Sequence, residues 1–260
     1  MDLSEYDYKA MFSLKGKVSV VTGATGGLGK ASCLALVLAG SKLMMISRDE
    51  GKLRELKEEI RGLGEVEYIT ANVIDEEQVE RAFKEAYNLF GRIDVLVNSH
   101  GINRRIPTLD YPTELWEQVV DVNLKGTFLT CRAAGKYMIL RKYGKIINIS
   151  STAGSSGYKW GYSAYSPSKA GVDALTRTLA VEWAKYGIRV NAIAPYMIET
   201  NLTKKFLESE EIREQVLKEI PLGIIGKPSD IAGAVVYLAS PASDWLTGQV
   251  IYIDGGYLAH

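Results

Sequence analysis

Tyr165 and Lys169 stand four residues apart, the spacing that places two side chains on one face of a helix. A phenol has a reference pKa near 10, so using it as a base near pH 7 takes about 4 kcal/mol. One ammonium at about 4 Å, in a medium of effective dielectric about 20, supplies roughly that much. The pair alone carries little information. With 15 tyrosines and 31 basic residues in 260 positions, chance gives about two such pairs, and Tyr137 with Arg141 is the other. Context separates them. Ser150 and Ser151 end an apolar run at 146–149, at what would be the carboxyl edge of a sheet, where open α/β folds hold ligands. A serine and a tyrosine there could handle the proton of a substrate oxygen.

A second constellation lies at residues 20–29, VVTGATGGLG, where an apolar run gives way to a helical stretch. Gly23, Gly27 and Gly29 would let the chain turn tightly and bring backbone N–H groups at a helix N-terminus onto a pyrophosphate. The next apolar run ends Ile46-Ser47-Arg48, with no acidic residue to meet an adenosine ribose. An arginine can grip a 2′-phosphate in bidentate fashion, which favours NADP over NAD; the plain alternative for Arg48 is a solvent-facing residue ahead of a helix.

These residues need a frame, and short apolar runs at 18–21, 43–46, 66–69, 93–97, 146–149, 190–193 and 250–253 supply one. Each is apolar on both faces, as strands of a covered parallel sheet must be. Between them Leu53, Leu56 and Ile60, then Val79, Ala82, Phe83, Ala86 and Phe90, recur at helical spacing. Asp75 and Gln78 read as a capping box at the start of the second of these helices. The fold class is therefore α/β, a doubly wound seven-stranded parallel sheet with helices on both faces, and residues 1–260 read as one domain. Residues 200–221 suit either a lid over a pocket or a solvated surface helix.

Composition excludes other classes. The 31 basic residues balance 31 acidic ones, with no run of like charge for nucleic acid or an anionic membrane. Cys33 and Cys131 are too few for a disulfide framework, and with His100 and His260 they offer no metal spacing, so no metal is expected. No apolar run reaches the roughly 18 to 20 residues that span a bilayer, and the N-terminus lacks signal-peptide order, so a cytoplasmic protein is expected.

Taken together, the motifs resemble those of short-chain dehydrogenases/reductases over essentially the whole chain. They run in order as Thr22-Gly-x-x-x-Gly-x-Gly29, Asn98-Ser-His-Gly101, Asp121-Val-Asn123, Ile149-Ser-Ser151, Tyr165-x-x-x-Lys169, Asn191-Ala-Ile-Ala-Pro195 and Asp254-Gly-Gly256. The resemblance implies a Rossmann-type fold and a catalytic tetrad of Asn123, Ser151, Tyr165 and Lys169. Tyr165 would exchange the proton, Ser151 bind the substrate oxygen, Lys169 lower the tyrosine pKa and hold the nicotinamide ribose, and Asn123 hold a relay water. It implies cofactor contacts from Gly23, Thr25, Gly27, Leu28, Gly29, Ser47, Arg48, Asn72, Val73, Asn98, Gly101, Tyr165, Lys169, Pro195, Ile198 and Thr200, and a homotetramer built on helices near 115–138 and 163–185 and on the strand at Tyr252. Three positions depart from the family pattern. His100 replaces a small residue, Asn72 an aspartate facing adenine, and Tyr196 a glycine.

Within the family the chain is most similar to sugar-acid oxidoreductases of the gluconate 5-dehydrogenase and 2-deoxygluconate 3-dehydrogenase kind, through residues 101–107 (GINRRIP), 183–188 (WAKYGI) and 12–16 (FSLKG). The expected substrate is a small carbonyl or alcohol, a sugar acid or polyol. Arg104 or Arg105 could pair with its carboxylate, or lie at a surface or subunit contact. Tyr158, Trp160 and Tyr196 would wall the pocket, or serve as ordinary filling. Two rivals remain at this stage: a 3-oxoacyl-carrier-protein reductase, and a nucleotide-binding sensor without chemistry.

Overall fold

The computed structural model describes residues 7–159 and 161–259. A one-turn helix α1 (Tyr8–Met11) leads into β1 (Val18–Thr22), α2 (Gly27–Leu38), β2 (Lys42–Ser47), α3 (Glu50–Glu59), β3 (Val66–Thr70), α4 (Glu76–Phe90) and β4 (Val95–Asn98). The second half runs α5 (Thr113–Val120), α6 (Gly126–Arg141), β5 (Gly144–Ile149), α7 (Tyr165–Trp183), β6 (Ile188–Pro195), α8 (Lys204–Leu207), α9 (Glu210–Lys218), α10 (Ala232–Ala239) and β7 (Val250–Ile253). All seven expected strands form, pairing in parallel in the order β3-β2-β1-β4-β5-β6-β7.

Every position of β1, β4 and β5 is buried because alternate side chains feed two cores. Val21, Val95, Val97 and Ile147 pack with Leu36 of α2, Leu53 of α3 and Val235 of α10. Val20, Leu96 and Ile146 face the other way, against Phe83 of α4, Leu129 and Met138 of α6, and Leu179 of α7. Strand order reverses between β1 and β4. That switch point opens a crevice at the carboxyl edge, where Ser150, the glycine turn and the β4 loop all emerge.

Three local expectations are corrected. The strand expected from residue 93 begins at Val95, because the Asp94 carboxylate accepts from Val18 N and from Arg92 in bidentate fashion. The capping box is rearranged: Asp75 accepts from Gln78 N at 3.0 Å, but the Gln78 side chain donates to the Asp75 carboxylate and accepts from Asn72 N. The helix expected near 115–138 is interrupted between α5 and α6 by a wider π-helical turn, Asp121–Lys125, centred on Asn123. Such turns recur at functional sites.

Candidate active site

Two adjoining cavities of about 230 and 170 Å3 share Gly26, Ser99, His100 and Gly101 as a common waist. The first is lined by Gly23, Thr25, Ser47, Arg48, Asn72 and Val73. The second gathers Gly27, Leu28, Ser151, Tyr165, Lys169, Pro195, Tyr196, Ile198 and Thr200. Most of the residues singled out from sequence thus meet in one crevice. Gly23 has φ +66°, and a Cβ on it would fall 2.5 Å from His100 N, so only glycine lets the turn lie against the β4 loop. No side chain caps the first turn of α2, which leaves its N–H groups facing the crevice. Thr25 and Ser47 are joined at 2.9 Å. The exposed Arg48 guanidinium beside them has no ion-pair partner among the described residues. An uncapped helix N-terminus and a glycine turn fit the pyrophosphate of a dinucleotide.

Ser151 follows β5 and lines the same cavities as the Tyr165 phenol, which starts α7. Burial pushes the Tyr165 pKa well above its ordinary value, and Tyr162 adds to this; the nearby Ser151 hydroxyl and the Arg105 charge oppose it. Lys169, one turn along α7, is buried beside Tyr165. Its ammonium donates to the Ile149 carbonyl at 2.7 Å and lies 5.7 Å from the Tyr165 ring centre. Burial lowers the lysine to about 8, against the raising influence of Asp173. Before cofactor binds, the site therefore holds a neutral phenol, suited to giving a proton to a carbonyl oxygen.

Asn123 is buried on its π turn with every side-chain polar atom engaged: Oδ1 accepts from Ile102 N at 2.8 Å, and Nδ2 donates to Ile102 O and Ser168 Oγ. A Cβ on Gly101 would lie 3.3 Å from Asn123 Oδ1 and 3.6 Å from Lys169 Nζ, which places both groups around one point of the β4 loop.

A smaller recess of about 50 Å3 continues from Ser151 and Tyr165 past Asn103, Arg105, Tyr158, Tyr162 and Tyr196. Arg105, not Arg104, is the arginine that reaches it: Nε and Nη2 both donate to Tyr162 OH at 3.2 Å, and the guanidinium lies 4.0 Å over the Phe206 ring. Arg104 is exposed and contributes its carbonyl to Tyr111. Tyr158 stacks on Tyr162, while Tyr196 stacks on Tyr257 at 3.8 Å and donates to Glu219 at 2.7 Å. Trp160 lies outside the described residues.

Asn98 and Gly29 sit beneath the crevice. The Asn98 amide donates to Asn148, its oxygen accepts from Thr130, and Thr22 Oγ1 lies 3.1 Å from that oxygen, which brings β1, β4 and β5 together. His100 neither blocks the crevice nor points at the recess, since both ring nitrogens turn inward to Thr22 and Thr127. Sequence reading passed over Tyr162, Leu202 and Thr203, although Tyr162 stands three residues before Tyr165 and shares its side of the approaching chain.

A family model described as Enoyl-(Acyl carrier protein) reductase matches residues 23–258. The chain is 42% identical over 244 residues to a 3-oxoacyl-[acyl-carrier-protein] reductase of Thermotoga maritima, covering 94% of this chain and 98% of that one. It is 40% identical over 250 residues to a 2-dehydro-3-deoxy-D-gluconate 5-dehydrogenase of Bacillus subtilis, covering 95% and 97%. Among solved structures, a gluconate 5-dehydrogenase from Burkholderia cenocepacia, in complex with NADP and tartrate, superposes with a TM-score of 0.91 at 32% identity, covering 97% and 99%. The chain is a short-chain dehydrogenase/reductase. As a member of that family it is an NAD(P)-dependent oxidoreductase acting on CH–OH groups of a small-molecule substrate, on a Rossmann-type seven-stranded sheet. No described helix of this dehydrogenase is long and apolar enough to cross a membrane.

Proposed function

We propose that the enzyme interconverts a ketone and a secondary alcohol on a sugar acid or polyol with NADP(H), in the manner of a gluconate 5-dehydrogenase. The observation that carries this reading is Arg105. Its guanidinium closes a small, tyrosine-walled recess opening on Ser151 and Tyr165, and among the described residues bonds on two of its three nitrogens. A carboxylate a few atoms from the reacting carbon would meet it there. When bound, the reduced cofactor supplies a hydride. Tyr165, kept neutral by burial, gives its proton to the carbonyl oxygen while Ser151 holds that oxygen. Lys169, titrating near 8, would hold the cofactor ribose, and Asn123, its side chain engaged, would hold the relay water through its main-chain carbonyl. Gly23, Thr25, Gly27, Leu28, Asn72, Val73, Gly101, Pro195, Ile198 and Thr200 would line the cofactor, with Ser47 and Arg48 at its 2′-phosphate. The absence of a carboxylate at Ser47 supports NADP over NAD.

The second reading, a 3-oxoacyl-carrier-protein reductase, is favoured by the 42% identity to such an enzyme. The 50 Å3 recess closed by Tyr158, Tyr196 and Arg105 favours a compact substrate instead. A non-catalytic sensor has no support in a site that keeps serine, tyrosine and lysine together. The same reading places the enzyme in the cytoplasm as a homotetramer, supported by exposed Trp116, Phe128 and Val181 on α5, α6 and α7 and by Tyr252 on β7.

The test is a substrate panel of keto sugar acids, polyols and 3-oxoacyl thioesters, each with NADPH and with NADH. Reduction of a keto sugar acid with NADPH is expected. Activity confined to acyl thioesters would overturn the substrate, and a marked preference for NADH would overturn the role of Arg48.

A further inference from the structure

His100 is 8% exposed and stands at the waist shared by both cavities. Its ring occupies a slot left by glycine: a Cβ on Gly126, where α6 begins, would come within 3.2 Å of His100 Nε2. Three side chains then form one line. Thr22 Oγ1 lies 2.7 Å from Nδ1, Thr127 Oγ1 lies 3.3 Å from Nε2, and Thr127 Oγ1 lies 2.7 Å from the Asn123 carbonyl oxygen.

Donor count and distance together favour one direction for this line. A carbonyl only accepts, so the single hydroxyl proton of Thr127 goes to Asn123 O. The Thr127 oxygen must then accept from His100 Nε2–H, and His100 Nδ1, left bare, accepts the hydroxyl proton of Thr22. Thr22 lies closer to Nδ1, at 2.7 Å, than to Asn98 Oδ1, at 3.1 Å, and Asn98 Oδ1 has a nearer hydroxyl in Thr130, at 2.8 Å. Burial, helped by repulsion from the Lys169 charge, lowers the imidazole to about 3, so the ring stays neutral across the working range. The charged and titratable groups facing this region are Lys169 and Tyr165 of α7 and, one turn further along, Asp173.

We propose that His100 is a positioning residue for the dehydrogenase reaction: as a neutral Nε2–H imidazole it fixes, through Thr127, the carbonyl of the Asn123 π turn against the end of β1. A π turn leaves its carbonyls poorly anchored, because the regular ladder is broken there. Gly126 N bonds back to Asp121 O across this turn instead of following the α pattern. Thr127 alone could rotate, and the imidazole holds its oxygen from the other side. The inference rests on the proposed role of Asn123 in the proton relay, since that is what gives its carbonyl direction a consequence for turnover.

The experiment compares His100→Ala, His100→Gln and Thr127→Val with wild type. It measures kcat, KM, the pH profile, the solvent deuterium isotope effect, NADPH binding by fluorescence and the melting temperature. His100→Ala and Thr127→Val are expected to lower kcat about tenfold, the worth of roughly one hydrogen bond. They should raise the isotope effect and leave NADPH binding in place. His100→Gln, which carries a donor and an acceptor on one planar group, should recover most of the loss. An isotope effect and pH profile unchanged in both His100→Ala and Thr127→Val would overturn the proposal, even if kcat or melting temperature falls, because a purely structural residue moves only the latter. A wild-type enzyme that reduces neither keto sugar acids nor acyl thioesters with NADPH would instead sink the underlying reading.

Discussion

Tyr165 and Lys169 are both displaced by burial, in opposite senses. The phenol is raised and the amine is lowered, to about 8. The amine titrates near 10.5 when unfolded, so between about 8 and 10.5 the unfolded chain binds a proton that the folded chain releases. Its contribution to stability therefore rises with pH across that window, and below it the buried cation is a constant cost. Lys169→Met should raise the melting temperature at pH 7 by a few degrees while abolishing turnover, with the gain vanishing as the pH approaches 10.5. Thermal denaturation at intervals from pH 7 to 10 checks this; no gain at pH 7 would contradict it. Arg105 makes a second test at the same scale. Replacing it by alanine should raise KM for an anionic substrate by tenfold or more and leave a neutral polyol nearly unchanged. A common effect on both would remove it from carboxylate recognition.

The strands were largely legible, because a strand buried on both faces leaves a short apolar run that few other structures require. Gly23, Ser151, Tyr165 and Lys169 were legible through spacing. The π turn at residues 121–125 was not, since widening one helical turn leaves the surrounding apolar spacing nearly intact. Nor could spacing choose between Arg104 and Arg105: the loop after β4 has no period, and the choice fell to Tyr162 and Phe206, which come from distant segments. The Lys169 bond to Ile149 O was hidden for a similar reason, as backbone acceptors carry no residue signature. At this scale Tyr196 joins β6 to the end of α9 through Glu219. Tyr196→Phe should speed hydrogen exchange over residues 210–219 and raise KM about two- to fivefold, in proportion to one lost hydrogen bond. Unchanged exchange would show that α9 is held by its apolar contacts, such as Val216, instead.

Exposed apolar residues gather on the helices that cover one face of the sheet. Val181 of α7 is 82% exposed, and Trp116 of α5 and Phe128 of α6 are partly so. A chain of zero formal net charge has little long-range repulsion to keep such faces apart. Sedimentation should find four chains per particle, and Val181→Asp, which sets like charges across a symmetric contact, should yield smaller species with an intact fold. A wild-type monomer would contradict the tetramer.

The central step of the proposed mechanism is proton transfer between Tyr165 and the substrate oxygen. Its most direct measurement is turnover of Tyr165→Phe with NADPH and a keto sugar acid, alongside NADPH binding by the same variant. A fall of at least about a hundredfold in kcat with binding preserved is expected. Turnover close to wild type would contradict the assignment of Tyr165 as the acid.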